Sequence, residues 1–421
     1  MDCSRPRSPA TTWRAGRAFA WPAAWSSWLV LLFSGLPLLI AISAAMAAEP
    51  AEIKIGYLRQ PLEKFTISYR DQPAENDGLA GALVAIDDNN TTGKFLNQKF
   101  TLEDVKLKEG SDPAAAVNAF ADKGILFVVA DLEPDALLKA ADAGKARGVL
   151  MFNVGAPDDR LREEDCRANV VHVAPARSML ADGLAQYLVW KKWRRWLLVT
   201  GSHDKDKLLA DAYRRAAKRF GAKIVEEREF KDTGGARRTD SGIVQIQSQM
   251  PVFTQEAPDY DVLVAADESE VFAGYLPYRT WDARPVAGSA GLVPTSWDAS
   301  HTQWGAIQMQ SRFTKKFPRF MTALDIEGWT AVRMLGEAAA RTHTTDAGKL
   351  VDFIKSPEFS VAAFKGQKLT LRDWNLQLRQ PILLSDGRTI VSVSPQEGFL
   401  HQVSELDTLG YDRPETKCSL K

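Results

Sequence analysis

Short apolar runs alternate with longer amphipathic stretches along the chain from residue 53 onward. Four runs have the length and composition of buried strands: residues 53–58, 100–107, 125–130 and 149–153. Three stretches between them have the apolar spacing of helices: residues 78–89, 113–123 and 134–146. The last two open with proline, which is favoured in the first helical turn. This alternation predicts repeated β-α units around a parallel sheet, which form one α/β lobe.

A second series of the same kind begins where the apolar segment 170–174 runs into Pro175. Its predicted strands are residues 196–200, 223–230 and 261–266. Its predicted helices are residues 178–190, 204–219 and 243–249, and two more follow at 305–317 and 326–341. From residue 368 the pattern changes to period-two alternation around the turn sequence SDGR at 385–388. We therefore expect a second α/β lobe and a C-terminal antiparallel extension.

The first 47 residues have the parts of a secretory signal peptide. Four arginines lie within residues 1–27, and an uncharged run of 15 residues follows at 28–42. Ala45 and Ala47 then supply the small side chains that signal peptidase reads. A transmembrane anchor is the less favoured alternative, because the run is short and Gly35 and Pro37 interrupt it. We expect cleavage after Ala47 and a mature protein in the periplasm.

The composition excludes several classes of function. Lysine plus arginine and aspartate plus glutamate each number 53, so no global field draws the chain to nucleic acid or to an anionic membrane. The three cysteines and five histidines form no CxxC or HxxxH pair, so the sequence offers no ligand set for zinc. We expect no metal and no cofactor.

The cysteine count changes when the signal segment is removed. Cleavage after Ala47 takes Cys3 away and leaves Cys166 and Cys418. Disulfides persist in an oxidising envelope compartment, so these two cysteines are predicted to form one. The alternative is a pair of unpaired buried thiols. A disulfide would tie the C-terminal tail to the middle of the chain.

An enzyme is the chief rival class, because serine, histidine and aspartate are all present. The sequence contains no GxSxG elbow, Gly56 after the first strand belongs to no GxGxxG loop, and no P-loop is found. We expect that the chain is not an enzyme.

Several segments, in order, resemble one known family. They are IKIGYL at 53–58, GLAGALVAIDDNN at 78–90, KGILFVVADL at 123–132, GVLMFNVGAPDDRLR at 148–162, VVHVAPARSMLADGLAQYLV at 170–189 and WLLVTG at 196–201. The chain resembles type I periplasmic binding proteins of the Leu/Ile/Val-binding kind, the receptors of ABC transporters. Residues 166–196 and the ending TLGYDRPETKC further resemble the branch associated with alcohol oxidation dependent on pyrroloquinoline quinone.

The resemblance implies two doubly wound lobes joined by a three-stranded hinge. Residues 48–174 with about 302–355 would form lobe I, and 175–301 with about 356–421 would form lobe II. The expected function is capture of a small solute by lobe closure. The expected partner is an ABC permease in the inner membrane, the chain being a monomer that binds no nucleic acid. A sensor that docks on a membrane receptor is the alternative.

Ligands of open α/β sheets bind beyond the carboxyl ends of the strands. Eight residues at such ends are the predicted ligand-binding set: Asp131, Glu133, Asn153, Gly155, Ala156, Ser202, Asp267 and Glu268. In amino-acid receptors of the resembled family, donors for the ligand carboxylate occupy the place of Asp131 and Glu133. Two carboxylates there would repel that group, so we expect a neutral or cationic solute instead.

Alternatives remain open for several of these residues. Asp131 and Glu133 precede a predicted helix and could simply cap it. Together with Asp135 they could bind a hard cation, although the spacing matches no calcium loop. The run WKKWRRW at 190–196 could bind nucleic acid or lipid, but basic residues at a helix end and tryptophans packed on a sheet are the simpler interpretation. His172 is predicted to be a hinge residue rather than a catalyst.

Overall fold

The computed structural model describes residues 49–61, 72–233 and 245–420. The predicted signal segment 1–47, its cleavage site and Cys3 lie outside these residues. Residues from Glu49 onward form one compact unit. Within the described ranges, no helix is long and apolar enough to cross a membrane.

A five-stranded parallel sheet forms the core of the first lobe. Its strands are β1 Ala51–Arg59, β2 Gln98–Lys106, β3 Phe127–Asp131, β4 Leu150–Asn153 and β5 Val170–His172, in the order β2-β1-β3-β4-β5. The helices between them are α1 Leu79–Leu96, α2 Pro113–Asp122 and α3 Pro134–Lys145. Asp112 caps α2 by accepting a hydrogen bond from the Ala114 N-H, and both α2 and α3 begin at the predicted prolines.

A four-stranded parallel sheet forms the core of the second lobe. Its strands are β6 Arg195–Gly201, β7 Lys223–Phe230, β8 Val262–Ala266 and β9 Val286–Gly288, in the order β7-β6-β8-β9. Its helices are α4 Arg177–Trp190, α5 Asp204–Phe220 and α6 Ile246–Thr254. In both sheets the first strand lies inside the sheet, flanked by the second and third, so both lobes are doubly wound.

The chain then returns to the first lobe. After β10 Val293–Thr295 come α7 Ala306–Lys316, α8 Ala323–Thr342 and α9 Ala347–Lys355. These helices contribute to the hydrophobic core on one face of the first sheet, where α8 packs against α1. A side-chain carbon at Gly81 of α1 would overlap the Asp325 carbonyl of α8, so glycine allows the two backbones to approach.

The C-terminal region has the short antiparallel strands that the sequence predicts. They are β11 Val361–Ala362, β12 Lys368–Leu369, β13 Ile382–Ser385 and β14 Ile390–Ser394. The hairpin between β13 and β14 forms at the predicted SDGR turn, with Gly387 at φ 79°. One expectation is wrong in detail: the alternating segment 369–378 is not one strand. It turns at residues 373–376, where Leu371 pairs with Leu378 and the Arg372 N-H donates to the Gln377 carbonyl at 2.9 Å.

Three chain segments connect the two lobes, and two of them are hydrogen-bonded to each other. Gln377 of the third segment pairs with His172 and donates through Nε2 to the carbonyls of His172 and Ala174 in the first. Gln380 also donates to the Val173 carbonyl, at 2.7 Å. These contacts confirm the predicted architecture of two lobes joined by a hinge of crossing segments.

The C-terminal tail is fastened to both lobes. In the second lobe, buried Asp182 of α4 accepts a hydrogen bond from the Gly410 N-H at 2.8 Å. On the first lobe, Cys418 forms the predicted disulfide with Cys166, and the Lys417 N-H donates to Glu163 at 2.6 Å. The tail therefore spans the two lobes.

Candidate functional site

The carboxyl-end loops of the two sheets meet at two ionic contacts. Lys205, at the start of α5, donates to Glu133 of the first lobe at 2.9 Å. Arg177, at the start of α4, donates to Asp158 of the first lobe at 2.6 Å. We call the space bounded by loops 131–133, 153–158, 202–205 and 267–268 the cleft. It lies where the topology of doubly wound sheets places ligands.

Asp131 ends β3 and carries the free carboxylate of the cleft. Its side chain has no hydrogen-bond or ion-pair partner among the described residues. Burial raises its pKa to about 7, with Asp77 and Glu133 adding to the rise and Arg59 opposing it. A side-chain carbon on Gly155 would overlap Asp131 Oδ1, so Gly155 leaves the space that this carboxylate occupies. The structure thus brings these two predicted residues together.

Tyr57 is a candidate site residue that the sequence did not indicate. It is fully buried, and its hydroxyl has no hydrogen-bond partner in the described part of the chain. Burial raises its pKa well above the usual value, and Asp131 adds to that effect. The register of β1 with β3 pairs Tyr57 with Val129 and Arg59 with Asp131. Tyr57 and Asp131 therefore point to the same face of the sheet, because residues two apart on a strand share a face.

Gly78 leaves room for the Tyr57 hydroxyl. Its φ is 74°, and a side-chain carbon at this position would overlap the Tyr57 oxygen. A buried hydroxyl with no partner is costly unless something bonds it. Among the described residues, the Tyr57 hydroxyl and the Asp131 carboxylate are therefore a donor and an acceptor without partners, near the carboxyl ends of β1 and β3.

Glu133 does not cap α3, although it occupies the N-cap position. Its side chain makes no capping hydrogen bond and pairs with Lys205 instead. Asp135 turns away to pair with Arg160. The helix-capping alternative is therefore wrong for Glu133, and the three nearby acids do not converge. The residues that the structure describes contain no group of three His, Cys, Asp or Glu side chains placed to hold a metal ion.

Glu268 lies at the cleft and forms a bidentate ion pair with Arg177. The two carboxylate oxygens accept from Arg177 Nε and Nη2 at 2.6 and 2.7 Å. The remaining guanidinium nitrogen donates to Asp158. Arg177 is therefore buried between one carboxylate from each lobe. Neither the position of Arg177 in the sequence nor its neighbours indicate this contact.

The Asp267 carboxylate is not presented to the cleft as the sequence suggested. Asp267 is buried, and its oxygens accept from the backbone N-H groups of Val271, Phe272 and Ala273 at 2.6–2.9 Å. Its own N-H donates to Ser289 Oγ. Asp267 therefore stabilises the loop that follows β8, because backbone N-H groups of that loop satisfy both carboxylate oxygens.

The other predicted residues shape the loops. The Asn153 side chain donates to the Ala156 carbonyl and accepts from the Ala156 N-H, and it contacts His172 Nδ1 at 3.1 Å. Ser202 Oγ accepts from the Asp232 N-H at 3.0 Å. His172 is buried in the first crossing segment, and burial lowers its pKa well below the usual value. These contacts position backbone and occupy polar atoms that a ligand could otherwise use.

A buried polar group lies beside the cleft, at the crossing segments. Ser296 Oγ donates to Glu327 at 2.6 Å, and Lys365 Nζ donates to the Ser296 carbonyl and to Gln380. Burial raises the pKa of Glu327 to about 8, against the Ser296 hydrogen bond and Lys365, while Asp131 adds to the rise. Burial lowers the pKa of Lys365 to about 7. This group joins α8 to the second and third crossing segments.

Comparisons with known proteins agree with this architecture. Residues 66–268 match the family model described as periplasmic binding protein. No curated protein sequence matches the chain. A branched-chain amino acid ABC transporter periplasmic ligand-binding protein from Burkholderia xenovorans superposes with a TM-score of 0.69 at 16% identity, covering 87% of this chain and 99% of that one.

Two further solved structures carry a ligand. An ABC transporter substrate-binding protein from Desulfitobacterium hafniense in complex with Leu has a TM-score of 0.60 at 18% identity, with 80% of this chain and 98% of that chain covered. A solute-binding protein of an ABC transporter from R. palustris in complex with benzoate has a TM-score of 0.61 at 12% identity, covering 88% and 100%. The chain has the type I periplasmic binding protein fold, and these structural neighbours are binding proteins.

Proposed function

We propose that this chain is the periplasmic solute-binding component of an ABC importer, and that it captures a small neutral or cationic solute by closing its two lobes. The proposed class of solute rests on the Asp131 carboxylate. Around it, Glu133 is paired with Lys205, Asp158 and Glu268 with Arg177, and Asp267 with backbone donors. Among the residues that the structure describes, Asp131 alone of these carboxylates has no partner and is available to a ligand.

The ligands of two structural neighbours differ from the solute proposed for this chain. Leucine and benzoate, held by the two ligand-bound neighbours, both carry a carboxylate. Above its pKa of about 7, Asp131 would repel a second carboxylate placed against it, and that group would lose its hydration without gaining a partner. A hydroxyl or an ammonium group, in contrast, would donate to Asp131. The Tyr57 hydroxyl, which also has no partner among the described residues, would be a complementary donor for an oxygen of the same solute.

The resemblance of residues 166–196 and of the C-terminal TLGYDRPETKC supports a narrower proposal. We infer that the solute belongs to alcohol oxidation dependent on pyrroloquinoline quinone. An alcohol or a related hydroxylated compound suits a carboxylate and a tyrosine hydroxyl that share a face of the first sheet and have no partners among the described residues. The proposed signal segment and the proposed periplasmic location are consistent with that role.

A thermal-shift screen of the chain from Glu49 onward tests the solute class. It would compare alcohols, polyamines, pyrroloquinoline quinone, amino acids and simple carboxylates, because a solute that binds only the folded state raises the melting temperature. We expect stabilisation by a hydroxylated or cationic compound. Stabilisation by carboxylates alone would contradict the proposal.

Calorimetry with the best compound then tests the residue. Asp131→Asn should weaken binding at least tenfold, which corresponds to about 1.4 kcal/mol. Glu133→Gln is the matched control, since it removes a neighbouring charge that already has a partner, and it should weaken binding less. Equal losses in both variants would remove Asp131 from the proposed site.

A further inference from the structure

The basic and aromatic run that follows α4 lies on the surface, at the end of the second lobe opposite the cleft. Trp190 ends α4, and Arg195 begins β6, whose other end, Gly201, leads into the cleft. Six residue steps of strand separate the two ends of β6, about 20 Å at 3.3 Å per residue. A partner bound at this run would therefore not obstruct a solute in the cleft.

Four basic side chains at this end have no acidic partner in the described part of the chain. They are Lys191, Lys192, Arg194 and Lys223, all exposed. The Lys223 N-H donates to the Arg194 carbonyl at 2.7 Å, so the start of β7 adjoins the run. The nearby acids Asp259 and Asp261 are already paired, with Arg195 and Arg284. A local excess of positive charge results, although the whole chain is neutral.

Aromatic rings accompany these charges. Trp190 is 50% exposed, and its ring packs near that of Tyr187 with centroids 6.1 Å apart. The Lys191 ammonium lies 5.3 Å from the centre of the Trp190 ring. Trp193, in contrast, packs with the hydrophobic core, and its carbonyl accepts from the buried Trp196 indole. Packing on the sheet therefore explains Trp193 and Trp196 but leaves Trp190 at the surface.

We propose that Trp190, Lys191, Lys192, Arg194 and Lys223 form a docking surface for anionic phospholipid membranes. Exposed tryptophan prefers the headgroup region of a bilayer, where its ring is amphipathic and its N-H is solvated. Lysine and arginine beside it are attracted by anionic lipid headgroups within a Debye length of the surface. The combination of one interfacial indole with four free cations fits such a surface. Weak binding of this kind would concentrate the protein at the membrane that holds an importer.

Vesicle co-sedimentation tests the proposal on the chain from Glu49 onward, which forms one compact unit. The probes are phosphatidylcholine vesicles with and without about 30% phosphatidylglycerol. We expect binding only when the anionic lipid is present and release in about 0.5 M salt. Absence of binding to the anionic vesicles would overturn the proposal.

Variants locate the surface. The triple variant Lys191→Glu, Lys192→Glu, Arg194→Glu should lower partitioning at least tenfold, and Trp190→Ala should lower it measurably at unchanged charge. The control triple Lys139→Glu, Lys145→Glu, Lys349→Glu changes the net charge equally at exposed lysines of the first lobe. Equal loss in the control would overturn the surface assignment.

Two further readouts keep the outcome clear. Melting temperatures of all variants show whether each is folded. If the triple variant is unfolded, the loss of vesicle binding in Trp190→Ala tests the surface assignment instead. A short DNA duplex is tested in the same way. If it binds at least as tightly as the vesicles and the triple variant abolishes this binding, the partner of the surface is nucleic acid and the lipid proposal is overturned. Solute binding in the cleft is measured separately and does not enter this result.

Discussion

Glu133 of the first lobe and Lys205 of the second form an ion pair of 2.9 Å across the cleft. Both side chains are partly exposed, at 39% and 46%. Such a pair contributes up to about 1 kcal/mol, because water and salt screen it. The pair can exist only while the lobes are close. Its free energy therefore stabilises the closed arrangement of the lobes and not the fold of either lobe.

We therefore expect Lys205→Met to shift the protein towards an open form. Small-angle scattering of the empty protein should show larger dimensions, and the affinity for a solute bound between the lobes should fall by up to about fivefold. The double reversal Glu133→Lys with Lys205→Glu should restore both values. Failure of the reversal to restore them would show that Lys205 acts through another contact.

Arg177 is expected to be essential for stability. It is 3% exposed and neutralises Asp158 and Glu268, so Arg177→Met would leave two carboxylates without their partner. Breaking a buried pair in this way costs about 3–5 kcal/mol. Arg284→Met removes an arginine from a pair with the exposed Asp259 and should cost less than about 1 kcal/mol. Urea unfolding measures both, and similar costs would contradict the assigned role of Arg177.

The disulfide should be present and stabilising. Free-thiol titration of the unfolded, unreduced chain from Glu49 onward should find no reactive thiol. Cys166→Ser with Cys418→Ser frees the tail from a link between residues 252 apart, which should lower the free energy of unfolding by about 2–5 kcal/mol. Two titrating thiols in the wild-type protein would show that the bond does not form.

Asp131 should make the stability depend on pH. Its folded pKa of about 7 lies above an unfolded value near 3.9, so the folded protein binds the extra proton between these values. The contribution of this group to stability therefore falls as the pH rises through that window, and the loss is complete above about pH 7. Asp131→Asn should raise the melting temperature more at pH 8 than at pH 5.

Thermal unfolding of both proteins at the two pH values measures this difference. The fully exposed Asp204→Asn controls for the change in net charge. A shift in melting temperature that is the same at pH 5 and pH 8 would mean that Asp131 does not titrate as its partly buried position implies.

Leucine, isoleucine and valine should bind poorly. Their carboxylate would meet Asp131, which has no cation beside it within hydrogen-bond distance in the described residues. Calorimetry at about pH 8, above the Asp131 pKa of about 7, checks each amino acid while this carboxylate is charged. Binding in the micromolar range or tighter would mean that Asp131 lies outside the ligand contact.

Much of the fold could be read from the sequence because it depends on local periodicity. The prolines at 113 and 134 begin α2 and α3, and the SDGR turn forms a hairpin, since proline and glycine restrict or permit backbone angles regardless of distant residues. The alternation of strands and helices predicted parallel sheets for the same reason. The segment 369–378 shows the limit, because its alternating pattern gave no sign of the turn at 373–376.

The site could be read only in part. Asp131 and Asp267 each follow a buried strand and are alike as a sequence pattern. The tertiary structure separates them, since three N-H groups of the following loop satisfy Asp267, while the loop after β3 offers Asp131 none. Whether a carboxylate is free or bonded is decided by which donors the folded chain brings within about 3 Å. The pairing of Glu133 with Lys205 was likewise hidden from the sequence, because hydrophobic periodicity fixes each lobe and electrostatic contacts across the cleft depend on how the lobes are joined.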